Sequence, residues 1–311
     1  MRFFALAPLL ALASFVVAHP GDEDHEHPAS NEELIARNIA VEESKMAARK
    51  CAPQIAEYEA RRIEKRNKLM RRQGTGTFTA PTPRITSIQD NSCVLHPETI
   101  EGPYYIRNEF VRSDVREDQP GVTLVLDVGV IDSRTCQPYP NAFVEIWAAN
   151  ATGAYGGYTG PWGLPTRIKE DTWLRGGLFT NKNGMVELVT IYPGYYSGRT
   201  THIHTMVHGG NWQTRSNGTF VSGSGSVNHI GQFFFDESWN DQVFRTHPYT
   251  TNTVPRTLNS RDWIMQQAGP GAVVKLQYLE GQDINKGLLG YITVVVNGGA
   301  NYRIQNNNAL R

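Results

Sequence analysis

Short β-strand-like segments, separated by turn residues, occupy the chain from about residue 84 to residue 296. Each has five to nine mainly apolar or alternating residues, bounded by glycine, proline, asparagine or aspartate. The segments cover residues 122–130, 142–148, 185–191, 202–208, 231–235, 272–279 and 291–296. Because only residues 259–267 look helical in this stretch, the pattern predicts an antiparallel sandwich or barrel. We expect a mainly β fold, a β-sandwich of antiparallel or mixed sheets at residues 84–297, with an N-terminal helical segment.

The first 18 residues have the pattern of a secretory signal peptide. Arg2 supplies a positive charge, an apolar run follows, and the small residues Val16 and Ala18 stand where a signal peptidase cleaves. A membrane anchor is the alternative, but the apolar run is short for a bilayer span. We therefore expect a secreted, extracellular protein that folds where disulfides persist.

Residues 31–73 have a helical composition, with 11 lysines and arginines, seven glutamates and few glycines. Because proline breaks or kinks helices, Pro53 predicts two helices at about 31–51 and 53–72. Their thin apolar stripe is stable only if it packs on something, which could be the β domain or a second subunit in a homodimer. The stripe consists of Ile55, Tyr58, Ile63, Leu69 and Met70.

The remaining boundaries follow from composition. Residues 19–73 form a charged helical segment or a removable pro-region, since dibasic pairs occur at Lys65-Arg66 and Arg71-Arg72. Residues 74–83 form a Gly/Thr/Pro linker, and residues 298–311 form a polar tail.

Charge and hydropathy argue against two classes of protein. The chain has 30 basic and 30 acidic residues, and this balance argues against a nucleic-acid-binding protein. Its long apolar run is confined to the N-terminus, which argues against a multi-span membrane protein. We expect neither nucleic acid nor a membrane as partner.

Three cysteines in a secreted chain allow at most one intrachain disulfide. Since Cys93 and Cys136 both lie in the β domain, we expect them to be paired, which would leave Cys51 unpaired or bonded to another chain. Asn150 and Asn217 begin N-glycosylation sequons.

His202 and His204 form an H-x-H pair within a predicted strand. Side chains two residues apart on a strand leave the same face, so both imidazoles can meet one metal ion. His208 falls on the same face, farther along. Alone, an H-x-H pair is a weak signal.

The surrounding residues strengthen the metal interpretation. Trp147, Gly153 and Tyr155 precede the pair, Pro193-Gly-Tyr-Tyr196 comes next, Arg199 stands three residues before His202, and Gln232 follows on a later strand. Upstream, residues 101–105 read Glu-Gly-Pro-Tyr-Tyr. In this order the elements resemble the intradiol ring-cleavage dioxygenases, and most of all the secreted fungal branch of that family.

The resemblance implies a non-heme Fe(III) ion held by Tyr155, Tyr196, His202 and His204. A phenol with a pKa of about 10 needs a hard Lewis acid to stay deprotonated. Fe(III) suits two tyrosinates and two imidazoles better than Zn(II), which favours cysteine, histidine and carboxylates. Tyr195 is the rival to Tyr196 as the second tyrosine ligand.

The implied activity is cleavage of a catechol-type ring between its two hydroxyls by O2, giving a muconate-type diacid. By the same resemblance, Tyr196 would also act as the base, Arg199 would stabilise charge on the ring, and Gln232 would position a bound oxygen. Tyr104 and Tyr105 would wall the pocket.

Two other functions stay open from the sequence. One is a secreted β-sandwich binding or cell-wall protein with a non-catalytic metal site, and the other is a copper-type oxidase built on His19, His202 and His204. The substrate is also open. The family's long loop between the second tyrosine and the arginine is missing here, and Arg167, Lys169 and Arg175 could each recognise a substrate carboxylate.

Overall fold

The structure is a computed structural model that describes residues 31–72, 101–158 and 170–309. The predicted signal peptide, the 74–83 linker, Cys93, Arg167 and Lys169 lie outside the described residues. The same holds for the start of the predicted β domain, residues 84–100.

Two sheets form the β-sandwich in the described part of the chain. The first has the order β2-β1-β9-β8, with β5 also paired to β1. Its β1 and β9 strands run parallel and its other pairs antiparallel, so it is a mixed sheet. Its strands are β1 (Thr123–Asp132), β2 (Gln137–Pro138), β5 (Met185–Ile191), β8 (Lys275–Tyr278) and β9 (Leu288–Val296).

The second sheet is antiparallel and has the order β4-β3-β6-β7. Its strands are β3 (Phe143–Trp147), β4 (Arg175–Phe179), β6 (His202–Gly209) and β7 (Ser226–Phe234). Strand β6, which carries the H-x-H pair, lies between β3 and β7. Because a central strand is hydrogen-bonded on both sides, it is a rigid support for functional side chains.

The hydrophobic core fills the space between the sheets. Leu126 and Val128 of β1 and Ile203 and Val207 of β6 are fully buried in it. Burying each such side chain stabilises the fold by about 1.5–3 kcal/mol. The mainly β, two-sheet fold expected from the strand pattern is confirmed.

Three α-helices accompany the sheets in the described residues: α1 (Asn31–Arg72), α2 (Glu237–Val243) and α3 (Trp263–Ala268). The prediction of two N-terminal helices was wrong, because α1 continues through Pro53. Proline removes one intrahelical hydrogen bond. Here Cys51 and Ile55, on either side of it, are buried against the sheet, and this packing keeps the helix continuous.

Helix α1 lies on the outer face of the mixed sheet of its own chain. Buried Arg62 donates a 2.5 Å hydrogen bond from Nη2 to Oδ1 of buried Asp127, and Tyr58 donates its hydroxyl proton to the carbonyl oxygen of Asn183 at 2.7 Å. Ile39 and Met46, nearer the start of the helix, are more than half exposed. Ile55 and Tyr58 of the predicted apolar stripe thus pack on the β domain of the same chain. A homodimer contact through this helix stays a prediction.

The disulfide joins Cys51 of α1 to Cys136 in the turn after β1. The predicted Cys93–Cys136 bond was therefore wrong. The two bonded cysteines are 85 positions apart in sequence, but docking of α1 brings their Cα atoms to 5.1 Å. The predicted pairing assumed that the helical segment lies apart from the β domain. In the structure α1 packs on that domain, so Cys51 is within reach of Cys136.

The residues expected to form a polar tail pack on the β domain. Tyr302 donates its main-chain N–H to the carbonyl oxygen of Val227 at 2.8 Å, and Ile304 is buried. None of the helices in the described ranges combines the length and the apolar character needed to cross a bilayer.

Candidate active site

His202 and His204 project from one face of β6, as their spacing requires, and both are almost completely buried. Their Nε2 atoms are 3.2 Å apart. The indole of Trp147, opposite His204 in the register of β3, stacks on that imidazole with 4.9 Å between ring centroids and 5° between planes. The H-x-H pair is thus held rigidly by its strand and by one aromatic ring.

Two tyrosines from separate loops complete the cluster. The Tyr155 hydroxyl lies 3.5 Å from Nε2 of His202. The Tyr196 ring has its centroid 5.8 Å from that of Tyr155 and 5.6 Å from that of His202. Tyr195 instead packs its ring on Phe244 with 4.8 Å between centroids. The structure therefore brings Tyr155 and Tyr196 together with the histidines, and directs Tyr195 to another neighbour.

Gly153 allows the two tyrosine loops to approach each other. Its φ is +88°, in the left-handed region that favours glycine. A Cβ atom here would also collide with the Tyr195 carbonyl oxygen. Gly153 in the Trp147–Tyr155 segment thus lets Tyr155 lie beside Tyr196.

The hydrogen bonding of His202 prepares it to bind a metal. Its Nδ1 lies 2.7 Å from the carbonyl oxygen of Thr200, which can only accept, so Nδ1 carries the proton. Burial, with the Arg199 guanidinium nearby, lowers the pKa of His202 to about 3. At neutral pH the ring is therefore uncharged, and its Nε2 presents a lone pair toward His204 and Tyr155.

The two tyrosines restrict which metal ion the site can bind. Burial and the neighbouring Tyr196 raise the pKa of Tyr155 well above its usual range. Only a strongly Lewis-acidic ion held against the oxygen could keep it as a phenolate. Two phenolic oxygens and two neutral imidazoles suit a hard trivalent metal, so these residues fit Fe(III).

Arg199 and Gln232 lie beside the histidines and bind each other. Arg199 donates from Nη2 to Oε1 of Gln232 at 2.6 Å. Gln232 faces His204 across the β6–β7 ladder, and its Nε2 is 3.4 Å from Nδ1 of His204. Both side chains are buried, so a cation and an amide are held next to the candidate metal ligands.

Comparison with known proteins assigns the family. A family model described as Dioxygenase matches residues 100–278, more than half of the chain. The chain belongs to the intradiol ring-cleavage dioxygenase family. The match includes all four candidate ligands as well as Arg199 and Gln232.

The similar proteins include enzymes and a solved structure. Catechol 1,2-dioxygenase of Acinetobacter baylyi is 36% identical over 105 residues, which are 32% of this chain and 32% of that protein. Catechol 1,2-dioxygenase 1 of Acinetobacter lwoffii is 28% identical over 134 residues, 36% of this chain and 41% of that protein. The chain thus spans about a third to two fifths of the length of these curated relatives.

The solved intradiol ring-cleavage dioxygenase from Tetranychus urticae has 30% sequence identity and a TM-score of 0.55. The alignment covers 70% of this chain and 100% of that one.

Of the two tyrosines expected to wall the pocket of this member of the intradiol dioxygenase family, only Tyr104 lies against the candidate ligands. Its ring stacks on Tyr155 with 4.5 Å between centroids and meets Tyr196 edge-on at 5.9 Å. Tyr105 is fully buried behind Trp147, and its hydroxyl lies 3.0 Å from Oγ of Ser222. The expectation for Tyr105 needs correction, because a turn at Pro103 and Tyr104 separates the two side chains, and Tyr105 packs into the core behind Trp147.

Asp262 is a site residue that the sequence analysis missed. Its buried Oδ2 accepts hydrogen bonds from Nε of Arg199 and the main-chain N–H of Thr200, both at 2.8 Å. Its Oδ1 accepts from the N–H of Met265 and caps α3. A helix was predicted at 259–267, so the capping role could have been found, but no sequence signal links residue 262 to residue 199.

The sequence offers Arg175 as a cation that could recognise a substrate carboxylate, but in the structure its guanidinium lies inside the protein. It is fully buried, donates from Nε to the carbonyl oxygen of Gly156 at 2.9 Å, and lies over the rings of Tyr155 and Tyr158 at 5.8 and 5.6 Å. It therefore supports the tyrosine layer from inside the protein.

His208 belongs to a different cluster. A β-bulge separates it from Val207, and its Nε2 lies 2.9 Å from Oε2 of the fully buried Glu145. The bulge and this partner keep it apart from the H-x-H pair.

The two sequons differ in exposure. The Asn217 side chain is exposed, whereas Nδ2 of half-buried Asn150 donates to Gln119. Glycosylation at both positions stays a prediction.

Proposed function

We propose that the protein is a secreted non-heme Fe(III) dioxygenase that cleaves catechol-type diols between the two hydroxylated ring carbons. Both atoms of one O2 enter the product, the bond between these carbons breaks, and each carbon becomes a carboxyl group of a muconate-type diacid. The observation that carries the proposal is the convergence of Tyr155, Tyr196, His202 and His204 next to the Arg199–Gln232 pair, in a chain of this family.

Tyr155, Tyr196, His202 and His204 would hold the metal. When bound, Fe(III) would act as a Lewis acid that activates the diol toward O2. Because Trp147 stacks on His204 and the Thr200 carbonyl oxygen accepts the Nδ1 proton of His202, both imidazole rings are held in their orientation before a metal binds.

Tyr196 is the better placed of the two tyrosines to take a proton from the diol. It is half-buried, whereas Tyr155 is 2% exposed and sandwiched between Tyr104 and the His202–His204 pair. The more accessible phenolate can move toward an arriving hydroxyl and accept its proton as a general base. Tyr155 would remain in place throughout.

Arg199 would stabilise negative charge that develops on the ring. Its guanidinium is fixed by Asp262 on one side and Gln232 on the other, so it is oriented before the substrate arrives. A preorganised cation in a buried site stabilises charge more strongly than water does. Gln232 holds both Arg199 and the His204 imidazole.

The aromatic layer favours a flat phenolic substrate. The ring centroids of Tyr155, Tyr158 and Tyr196 lie 4.5, 5.2 and 5.9 Å from that of Tyr104, and an aromatic ring can stack or pack edge-on against such a layer. Arg175 is occupied inside the protein, which removes one candidate for a substrate carboxylate. A catechol with small or apolar substituents is therefore the substrate class that we propose.

Secretion is supported by two features. The first 18 residues have signal-peptide character. The Cys51–Cys136 disulfide also suits an oxidising compartment.

Metal analysis and an O2-dependent assay test the function. The isolated protein should contain iron at one atom per chain and, with catechol and O2, consume both in equal amounts and form a muconate. Iron without O2 uptake would support the binding or cell-wall alternative, and copper would support the copper-type oxidase. Colourless protein loaded with zinc would contradict the proposal.

A further inference from the structure

The C-terminal strap, which we define as residues 298–309, crosses the loop that carries Tyr104. It follows β9 and lies beyond residues 100–278, the part matched by the family model. The strap therefore lies outside the part of the chain on which the family assignment rests.

Arg107 fastens the strap at one end of the Tyr104 loop. Its guanidinium donates from Nε to the carbonyl oxygen of Asn306 at 2.6 Å and from Nη2 to that of Ile304 at 2.9 Å. Its main-chain N–H donates to the carbonyl oxygen of Asn308 at 2.8 Å. One half-buried residue thus makes three hydrogen bonds to the strap.

Asn306 fastens the strap at the other end of the loop. Its main-chain N–H donates to the buried carboxylate of Glu101, and its Nδ2 donates to the carbonyl oxygen of Pro103 at 3.2 Å. The strap contacts therefore lie on both sides of Tyr104 in the sequence, at residues 101, 103 and 107.

Asn308 reaches the same aromatic layer from another direction. Its Nδ2 donates to the Tyr158 hydroxyl at 3.1 Å, and that hydroxyl donates to the carbonyl oxygen of Tyr105 at 3.1 Å. Tyr158 in turn meets Tyr104 edge-on with 5.2 Å between ring centroids.

These contacts converge on the candidate metal site. Tyr104 stacks on Tyr155 with an angle of 8° between the rings. A Cβ atom on Gly102, in the same loop, would lie 3.4 Å from Cε1 of His204. A shift of the loop would therefore change both the stack on Tyr155 and the space beside His204.

We propose that the C-terminal strap positions Tyr104 and Tyr158 around Tyr155 and so sets the shape of the substrate pocket, with Arg107 and Asn308 as positioning residues. The inference rests on the proposed function in that the pocket is taken to bind a catechol-type diol. It concerns binding of the ring rather than the chemical step.

The test uses the full chain with Arg107→Ala, Arg107→Lys and a matched control, Arg303→Ala, at an exposed arginine of the strap. Hydrogen exchange of the metal-free protein is followed in peptides covering 101–107 and 304–309. Iron content, kcat and KM for catechol are measured in parallel.

Arg107→Ala should speed exchange at 101–107 and raise KM for catechol roughly tenfold, with kcat within about threefold and iron content unchanged. Arg107→Lys, which keeps a cationic donor, should recover most of the affinity. Arg303→Ala should match the parent protein in every measurement.

Unchanged exchange at 101–107 in Arg107→Ala would overturn the proposal, as would faster exchange with an unchanged KM. If Arg107→Ala does not fold, Asn308→Ala, which removes one side-chain hydrogen bond, takes its place with the same expectations. If the parent protein lacks dioxygenase activity, the proposed function fails, while the exchange measurement still decides whether the strap holds the loop.

Discussion

Asp262 holds Arg199 by accepting a 2.8 Å hydrogen bond from its Nε atom, and both side chains are buried. Burial alone would raise the pKa of the Asp262 carboxyl, but the Arg199 charge and the hydrogen bonds it receives outweigh burial and keep that pKa below its usual value. The carboxylate therefore stays charged at neutral pH. Since it also caps α3, it joins that helix to the loop before the H-x-H strand.

Asp262→Asn should lower kcat roughly tenfold to a hundredfold, because Arg199 loses its charged anchor and is no longer oriented before the substrate binds. Iron content should remain that of the parent protein. Steady-state kinetics and metal analysis measure both. The control is Asp241→Asn, at a half-exposed carboxylate bound to Arg256 at 2.7 Å. Equal kcat values for the two variants would contradict a positioning role for Asp262.

The tyrosine assignments can be tested by colour. Two tyrosinates on Fe(III) should give a visible charge-transfer band. Tyr155→Phe should remove both band and iron, because Tyr155 is the buried ligand, whereas Tyr196→Phe should keep more iron but lose most of its rate. Tyr195→Phe, the matched control, should retain both the band and the iron of the parent protein. Visible spectra and iron analysis measure the two properties. Loss of the band in Tyr195→Phe would show that Tyr195, and not Tyr196, is the second tyrosine ligand.

Peptide mapping without reduction should recover Cys51 bonded to Cys136. With 85 positions between the cysteines, the chain-entropy relation gives a stabilisation of about 4–5 kcal/mol. Cys51→Ser should therefore lower the Tm clearly, while Cys93→Ser should leave it near that of the parent. A peptide joining Cys93 to either other cysteine would contradict the arrangement.

The buried pair between Arg62 and Asp127 predicts that α1 is needed for stability. Arg62→Ala would leave the Asp127 carboxylate buried without its cation, which costs roughly 3–5 kcal/mol in the free energy of unfolding. Arg61→Ala on the same helix is the control, since its pair with Glu57 is about two-thirds exposed on both sides, and it should cost less than about 1 kcal/mol. Denaturant unfolding of both variants measures the difference, and equal losses would show that α1 is not held by this pair.

His229 should make the protein less stable in acid. Burial lowers its folded-state pKa to about 3, below the ordinary value of about 6.5. Between these values the unfolded chain binds the extra proton, so the free energy of unfolding falls as the pH drops from about 6.5 toward 3. His229→Gln should flatten this fall, and the exposed control His247→Gln should not. Tm measured against pH tests it, and parallel profiles for His229→Gln and the parent would contradict it.

Local patterns predicted much of the fold and part of the site. Strand segments such as 185–191 were found because β residues alternate between two faces, and this rule operates within a few residues. The same rule placed His202 and His204 on one face of β6.

Other features depend on contacts between distant parts of the chain. Helix α1 continues past Pro53 because its flanking residues pack on the sheet, and that packing decides the partner of Cys136. Asp262 reaches Arg199, and the strap reaches the Tyr104 loop, across separations of 63 and about 200 positions.

By itself, the sequence determined the β class, the strand that carries the two histidines, and the residue types able to hold a hard metal ion. These depend on backbone periodicity and side-chain chemistry, which act locally. Only the tertiary structure decided which tyrosine faces the histidines, which carboxylate orients Arg199, which cysteine bonds to Cys136 and what the C-terminal residues hold. Each of these depends on side chains that become neighbours only when the sheets, the helices and the strap pack together.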